Sequence, residues 1–173
     1  MRVLVPFTAR HIETIAGAPA NAEWVDVSRS STAYWETLCE FWNSGDDLLI
    51  IEHDVVCRPD VIEQLEMCPE PWCAFGYSDM CHPECMEAWA NAFGCTRFRK
   101  ELMAAAPDAV SSIPEGYGRD WHNLCDYVSG MPWLNPEMRP QCLRARGFWH
   151  HWHYPAVRHH KMSLESYKAL IGG

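Results

Sequence analysis

The chain has 173 residues, of which 48% are hydrophobic and 21% charged, with a formal net charge of -9. That mix describes one compact folded domain spanning residues 1–173 and excludes a disordered chain, and no apolar run approaches the roughly 20 residues of a membrane helix. The apolar start Arg2–Pro6 is too short for a secretory leader, so a cytoplasmic protein with no membrane span is expected.

Arg2-Val3-Leu4-Val5-Pro6 predicts a buried strand closed by Pro6, and Glu23–Val27 a second. From Thr32 to Asn43 the apolar residues Tyr34, Trp35, Leu38, Cys39, Phe41 and Trp42 recur at helical spacing. Asp47-Leu48-Leu49-Ile50-Ile51 is an apolar run bounded by charge, the mark of a central strand covered on both faces. Pro59 at a first helical position predicts a helix through Val61, Ile62 and Leu65, and Trp72–Tyr77 a further strand. Helices are expected over Arg99–Ala106 and Asp120–Val128, a last strand over Cys142–Phe148, and a terminal helix capped by Ser163. Strands alternating with helices give an α/β fold with a mostly parallel central sheet flanked by helices.

Nine cysteines without an export signal read as reduced, packed thiols. The closest pairs, Cys68/Cys73 and Cys81/Cys85 around His82, lack the paired CxxC knuckles of a structural zinc site. Charge is segregated: 22 of 23 acids lie at or before Glu137, whereas Met138–Leu164 carries five Arg or Lys and five of the nine histidines. That segment is suited to an anionic partner, although the overall charge disfavours nucleic acid except as an acceptor.

Glu52-His53-Asp54 follows the buried strand directly. Carboxylates two residues apart point the same way if the extended backbone persists, and the carboxyl end of such a strand is where open α/β sheets bind ligands. A divalent cation relieves the repulsion between the two acids. Imidazoles of His150, His151, His153, His159 and His160 offer further ligands, with His153 and His159 preferred. The expected metal set is Glu52, Asp54, His153 and His159. A carboxylate and imidazole shell favours Mn²⁺, and Mg²⁺ where oxygen dominates. Thr8, Arg10 and Asp26, at the ends of the first two strands, are expected to line a nucleotide pocket. Glu52, His53 and Arg158 complete the donor-binding set, and Trp121, Trp149 and Trp152 are candidates for stacking on a sugar.

The apolar strand, the Glu52-His53-Asp54 triplet as a DxD variant and a late histidine together resemble a compact GT-A glycosyltransferase, of the small type encoded by bacteriophages and actinobacteria. The first motif position is Glu52 where the family pattern has Asp. Phe93-Gly94-Cys95-Thr96-Arg97-Phe98 is similar to the acceptor-side strand and turn, Asp120-Trp121 to the catalytic acidic position, and Pro6–Arg10 to the base-binding segment. The resemblance implies a GT-A-like (Rossmann-like) sheet and metal-dependent sugar transfer from a nucleotide-diphosphate sugar, most simply a UDP-sugar, to an acceptor. In an inverting transfer Asp120 would be the base, with Gly116-Tyr117-Gly118 as a lid before it. Two alternatives remain: a nucleotidyltransferase making nucleotide-sugars, which needs a basic, glycine-rich loop after the first strand, and a non-catalytic metal or nucleic-acid binding module.

Overall fold

A computed structural model describes residues 1–78, 93–120, 123–130 and 142–170. Cys81, His82, Cys85 and Trp121 lie outside these residues. The strands are β1 (Arg2–Phe7), β2 (Ala22–Asp26), β3 (Leu48–Ile51), β4 (Val55–Val56), β5 (Trp72–Ser78), β6 (Cys95–Phe98) and β7 (His151–His159). The helices are α1 (Ile12–Gly17), α2 (Ala33–Trp42), α3 (Pro59–Met67), α4 (Lys100–Ala105), α5 (Leu124–Ser129) and α6 (Leu164–Leu170). The fold is α/β, as expected. All seven strands form one sheet in the order β2-β1-β3-β6-β5-β7-β4.

The sheet is mixed. β1 runs parallel to β2 and β3, and β5 parallel to β7, while β6 is antiparallel to both β3 and β5, and β4 antiparallel to β7. Five strands therefore point one way, with β6 and β4 reversed. The carboxyl ends of β1, β3, β5 and β7 share one edge of the sheet, joined there by the start of β6.

β3 is an interior strand, between β1 and β6, and its four side chains are fully buried. Strand alternation sends Leu48 and Ile50 to one face, with Leu4, Trp72 and Phe98, under Leu38, Phe41 and Trp42 of α2, Leu102 of α4 and Leu124 of α5. Leu49 and Ile51 go to the other, with Val3, Val5, Cys73, Phe75 and Cys95, under Val61 and Leu65 of α3. The charged Asp47 just before β3 is used structurally: its backbone carbonyl accepts from Arg2 N and its carboxylate from Lys100 N, at 2.8 and 2.9 Å.

Two expectations are corrected. Cys142–Phe148 is not a strand: Cys142 and Leu143 are buried, then Arg144–Arg146 forms a 3-10 turn that Gly147 ends at φ 85°. The last strand is instead the histidine-rich β7. The helix expected from Asp120 begins at Leu124, since the Asp120 carbonyl accepts from Asn123 N and Leu124 N in the turn before it. Finally, the Ser163 hydroxyl does accept from Ser166 N at 3.0 Å and caps α6 as expected, but β4 and α1 have no counterpart in the sequence reading.

α1 sits on the edge that carries the ends of β1 and β3. Its last residue, Gly17, lies so close to the backbone before α3 that a Cβ there would collide with the Cys57 carbonyl oxygen. Backbone cannot yield as a flexible side chain can, so Gly17→Ala is expected to cost about 1–3 kcal/mol. Gly76→Ala, whose Cβ meets nothing within 4 Å, is the control. Urea midpoints of the two variants check this; equal midpoints would show that α1 is free to move.

Candidate active site

The backbone stops being extended directly after Ile51. Val55 N donates to Glu52 O at 3.0 Å, closing a turn over Glu52-His53-Asp54, and the chain re-enters the sheet as β4 against the end of β7. The two carboxylates consequently have different partners, where an extended strand would have set them side by side.

Glu52 turns toward the α2 face. Its Oε1 accepts from the Tyr34 hydroxyl at 3.3 Å and its Oε2 from Gly94 N at 3.0 Å, while Glu52 N donates to Gly94 O at 2.8 Å. Gly94 sits at the entry to β6, so the segment before that strand is pinned to the acidic triplet. Burial, followed by the charge of Asp54, pushes the Glu52 carboxyl up to about 8; the Gly94 amide and Tyr34 hydroxyl oppose this without offsetting it.

Asp54 faces β7. Its Oδ2 lies 3.4 Å from His159 Nε2, and its backbone carbonyl accepts from His160 N at 2.7 Å. Burial alone would raise the Asp54 pKa, but the His159 contact and the nearby His53 outweigh it and hold the carboxyl below its ordinary value. At neutral pH the pair therefore divides its roles, with Glu52 protonated and Asp54 ionised. Asp54 Oδ1 is buried and has no hydrogen-bond partner. An anionic oxygen in that condition is costly unless a cation reaches it.

The orientation of His159 is set from behind. Lys161 N donates to His159 Nδ1 at 3.2 Å, so Nε2 is the ring nitrogen that presents a proton to Asp54. In this geometry His159 orients Asp54, and direct ligation of a cation through Nε2 would require that proton to leave.

His53 lies between β1 and α1. Its ring Nε2 is 3.3 Å from the Thr8 hydroxyl, and its carbonyl accepts from the buried Thr14 hydroxyl at 2.8 Å. His53 stacks on His11 at 5.5 Å between centroids, His11 on His160 at 3.8 Å, and His160 lies against His159 at 4.6 Å. Burial first, then neighbouring imidazoles, lowers the pKa of both His53 and His160, so these rings stack as neutral groups.

Thr8, Arg10 and Asp26 gather at the same edge. Phe7 is in register with Asp26, and the Arg10 guanidinium lies over the Phe7 and Trp24 rings at 4.5 and 5.6 Å. Asp26 Oδ1 accepts from both Ser28 N and Ser28 Oγ, at 2.9 and 2.7 Å, which is a turn-capping use of that oxygen. Arg158 is committed elsewhere: it donates to Glu13 Oε1 at 2.6 Å and to Met162 O at 2.7 Å, clasping α1 to β7. Asp120 is half-buried in the turn before α5, whose first-turn Cys125 lies within electrostatic reach of Glu52. His153 is not brought to Asp54: it precedes His159 by six strand residues, about 20 Å at the usual rise, and lies with Cys68 and Cys73. Trp149 is exposed beside Arg144, and Trp152 packs on His150.

Sequence reasoning passed over His11 and the roles of Tyr34 and Gly94, and weighed His160 only as one of five candidate ligands. His11 had one available signal, its position just past the end of β1 on the ligand-binding edge. Tyr34 and Gly94 were read as core and strand.

No protein-family model matches the chain, and no curated protein sequence matches it. No helix among the described residues is long and apolar enough to cross a membrane.

If His159 Nε2–H supports Asp54, His159→Ala in chelator-treated protein should lower stability at pH 7 by about 1–3 kcal/mol. His159→Gln, which retains an N–H donor, should lose less. Chemical denaturation followed by circular dichroism measures both. Equal losses would assign the effect to packing rather than to the hydrogen bond.

Proposed function

We propose that the chain is a metal-dependent glycosyltransferase of GT-A-like build, using a nucleotide-diphosphate sugar, with a UDP-sugar the first donor to test. The observation carrying this reading is the buried, unpartnered Asp54 Oδ1, on an ionised carboxylate at the carboxyl edge of β1 and β3. β1 is flanked by β2 on one side and β3 on the other, so the connections leave it in opposite directions, and the crevice at that reversal is where open α/β sheets take nucleotides.

The residues present fit a hard divalent cation held jointly with its substrate. Asp54 Oδ1 supplies one carboxylate oxygen, and Glu52, occupied by Tyr34 and Gly94, supplies support rather than a second anion. Mg²⁺ and Mn²⁺ are commonly bound by one or two carboxylates plus substrate phosphates. When bound, such a cation neutralises the diphosphate leaving group. The remaining tasks fall to the chain. His159 fixes the rotamer of Asp54, Thr8 and Arg10 offer a hydroxyl and a guanidinium at the mouth of the β1 edge, and the stacked rings of His53, His11 and His160 give that edge a flat wall. Asp120, in the turn before α5, is assigned the removal of the acceptor hydroxyl proton in an inverting transfer.

Thermal shifts with UDP and other nucleoside diphosphates, with and without Mn²⁺, test the donor. A ligand at a hundredfold excess over its Kd stabilises by about 2.7 kcal/mol. Asp54→Ala is expected to abolish the Mn²⁺-dependent part and leave the unliganded fold intact. Persistence of that shift in Asp54→Ala would remove Asp54 from the site. Release of nucleoside diphosphate from a panel of nucleotide-sugars supports transfer, whereas release of pyrophosphate from a nucleoside triphosphate and a sugar phosphate would identify a nucleotidyltransferase.

Asp120→Asn separates a base from a positioning group. Loss of the base is expected to lower turnover by about 10²- to 10⁴-fold with donor binding preserved. An unchanged turnover, or a product that retains anomeric configuration, would exclude that role.

A further inference from the structure

At the other end of β7, on the α3 face of the sheet, lies a second cluster with different chemistry. Cys68 ends α3, Cys73 is the second residue of β5, and His153 lies on β7, in register with Phe75. One ligand atom from each lies within 4.8 Å of the other two. We propose that Cys68, Cys73 and His153 form a zinc site, with a fourth coordination position open to the adjoining groove.

The donor set selects the metal. Two thiolates and an imidazole suit zinc, and Zn–S near 2.3 Å with Zn–N near 2.0 Å places tetrahedral neighbours about 3.5–3.8 Å apart. A separation of up to 4.8 Å closes to that with shifts of about 1 Å. Cys68-Pro69-Glu70-Pro71-Trp72-Cys73 has four residues between its cysteines, within the C-x₂₋₄-C range of zinc sites, so the lack of a CxxC pair does not exclude the metal.

Two observations indicate that the ligands lack another purpose. His153 Nε2 is buried without a hydrogen-bond partner, although the ring is held firmly by stacking on Phe75 at 5.0 Å. The Cys73 thiol makes a long 3.9 Å contact to Leu65 O and otherwise meets the Arg97 guanidinium and the Cys68 thiol, its partner in the cluster. Burial pushes the Cys73 thiol up to about 12, with the Arg97 guanidinium opposing, and burial keeps His153 neutral. A bound metal deprotonates a coordinating thiol outright. Binding would then release two protons, and Zn²⁺ with two thiolates and a neutral imidazole carries no net charge.

The loop between the cysteines is held in place from β6. Arg97, fully buried, donates to Cys68 O at 2.9 Å and to Glu70 O at 2.7 Å, and Arg99 N donates to Pro71 O at 2.9 Å. Arg97 Nε has no hydrogen-bond partner and Nη1 has only a 4.0 Å ion pair with Asp47 Oδ2, and this buried positive group beside Cys73 favours the anionic form of its thiol. Such fixing of a ligand loop lowers the ordering cost of metal binding. The fourth position faces a groove of about 490 Å³ lined also by Asp60, Glu63, Gln64 and Met67, which admits water or a small ligand.

The test uses the full chain, reduced and stripped with chelator, then titrated with Zn²⁺ or Co²⁺ alone. The expected result is a zinc equivalent lost from Cys68→Ser, Cys73→Ala and His153→Gln, each weakening binding by more than about 100-fold, since even outer-shell changes cost 10- to 100-fold. Co²⁺ should give thiolate-to-metal charge transfer that the same variants remove. Asp54→Ala should leave zinc binding unchanged, which separates this site from the one proposed for the donor. Cys73 is fully buried, so circular dichroism checks that variant, and Cys68→Ser with His153→Gln decide the matter if it misfolds. Zinc affinity unaltered in those two variants, or Co²⁺ bound without thiolate charge transfer, would overturn the site. Intact-mass loss of two hydrogens in a Cys68–Cys73 disulfide that zinc does not prevent would overturn it as well.

Discussion

Everything at the carboxyl edge depends on a two-residue ladder. Val55 and Val56 pair antiparallel with His159 and Arg158, and His160 N donates to Asp54 O beyond the end of that ladder. Val55 is fully buried, so the pairing is anchored by apolar contact as well as by hydrogen bonds. Its effect is to bring the basic, histidine-rich end of the chain onto the acidic triplet that precedes it by about a hundred residues. With the ladder formed, His159 meets Asp54, Arg158 reaches Glu13 on α1, and α1 carries His11 into the gap between His53 and His160. Basic and acidic groups segregated along the sequence are thus brought together in space.

What could be read from the sequence follows the strength of each local signal. β3 announced itself because four consecutive apolar residues between charges have few options other than a strand covered on both faces, and the two core clusters divide its side chains in alternation as that reading requires. α2 and α3 were legible because their buried positions recur at helical spacing. α1 was not: six residues with Ile12 and Ile15 exposed carry almost no amphipathic signal, and the helix exists through tertiary support. β7 was misjudged for a different reason. Its alternation of imidazole and aromatic groups is a period-two pattern and thus a strand signal, but the same residues invited a chemical reading, and the strand was placed in Cys142–Phe148. Asp54 and His159 could be paired by chemistry. Tyr34 and Gly94 at Glu52 could not, because both contacts depend on how α2 and the β6 entry meet the end of β3.

The two carboxylates show how environment rather than residue type sets a role. In sequence they are equivalent acids flanking one histidine. In the fold, the turn closed by Val55 N sends Glu52 into a half-buried niche with neutral donors, and Asp54 toward imidazoles. Proximity of two negative charges in poor solvent cannot be sustained, so one takes the proton, and the partners determine which. Glu52 then acts as the hinge post joining β3 to the β6 entry, and Asp54 is left as the anion. A GT-A-like reading of the triplet is compatible with a glutamate in the first position for this reason, since that position is occupied by hydrogen bonding to Gly94 and Tyr34.

β7 links two donor sets of opposite character. His159 at its carboxyl end belongs with a carboxylate, and His153 lies with two thiols. Hard oxygen donors prefer Mg²⁺ or Mn²⁺, while thiolate and imidazole bind zinc far more tightly, and the affinity series alone would load zinc at either place. A chain that needs an exchangeable cation at Asp54 gains from keeping sulfur away from it. Cys125, a thiol within electrostatic reach of Glu52, is held protonated by burial, well above its ordinary range. Soft ligands gather on the α3 face, and under the proposed function the oxygen-rich edge would be left to a weakly held ion that arrives and departs with a diphosphate. If both proposed sites bind as argued, their separation along one strand does for selectivity what neither ligand set could do through affinity alone.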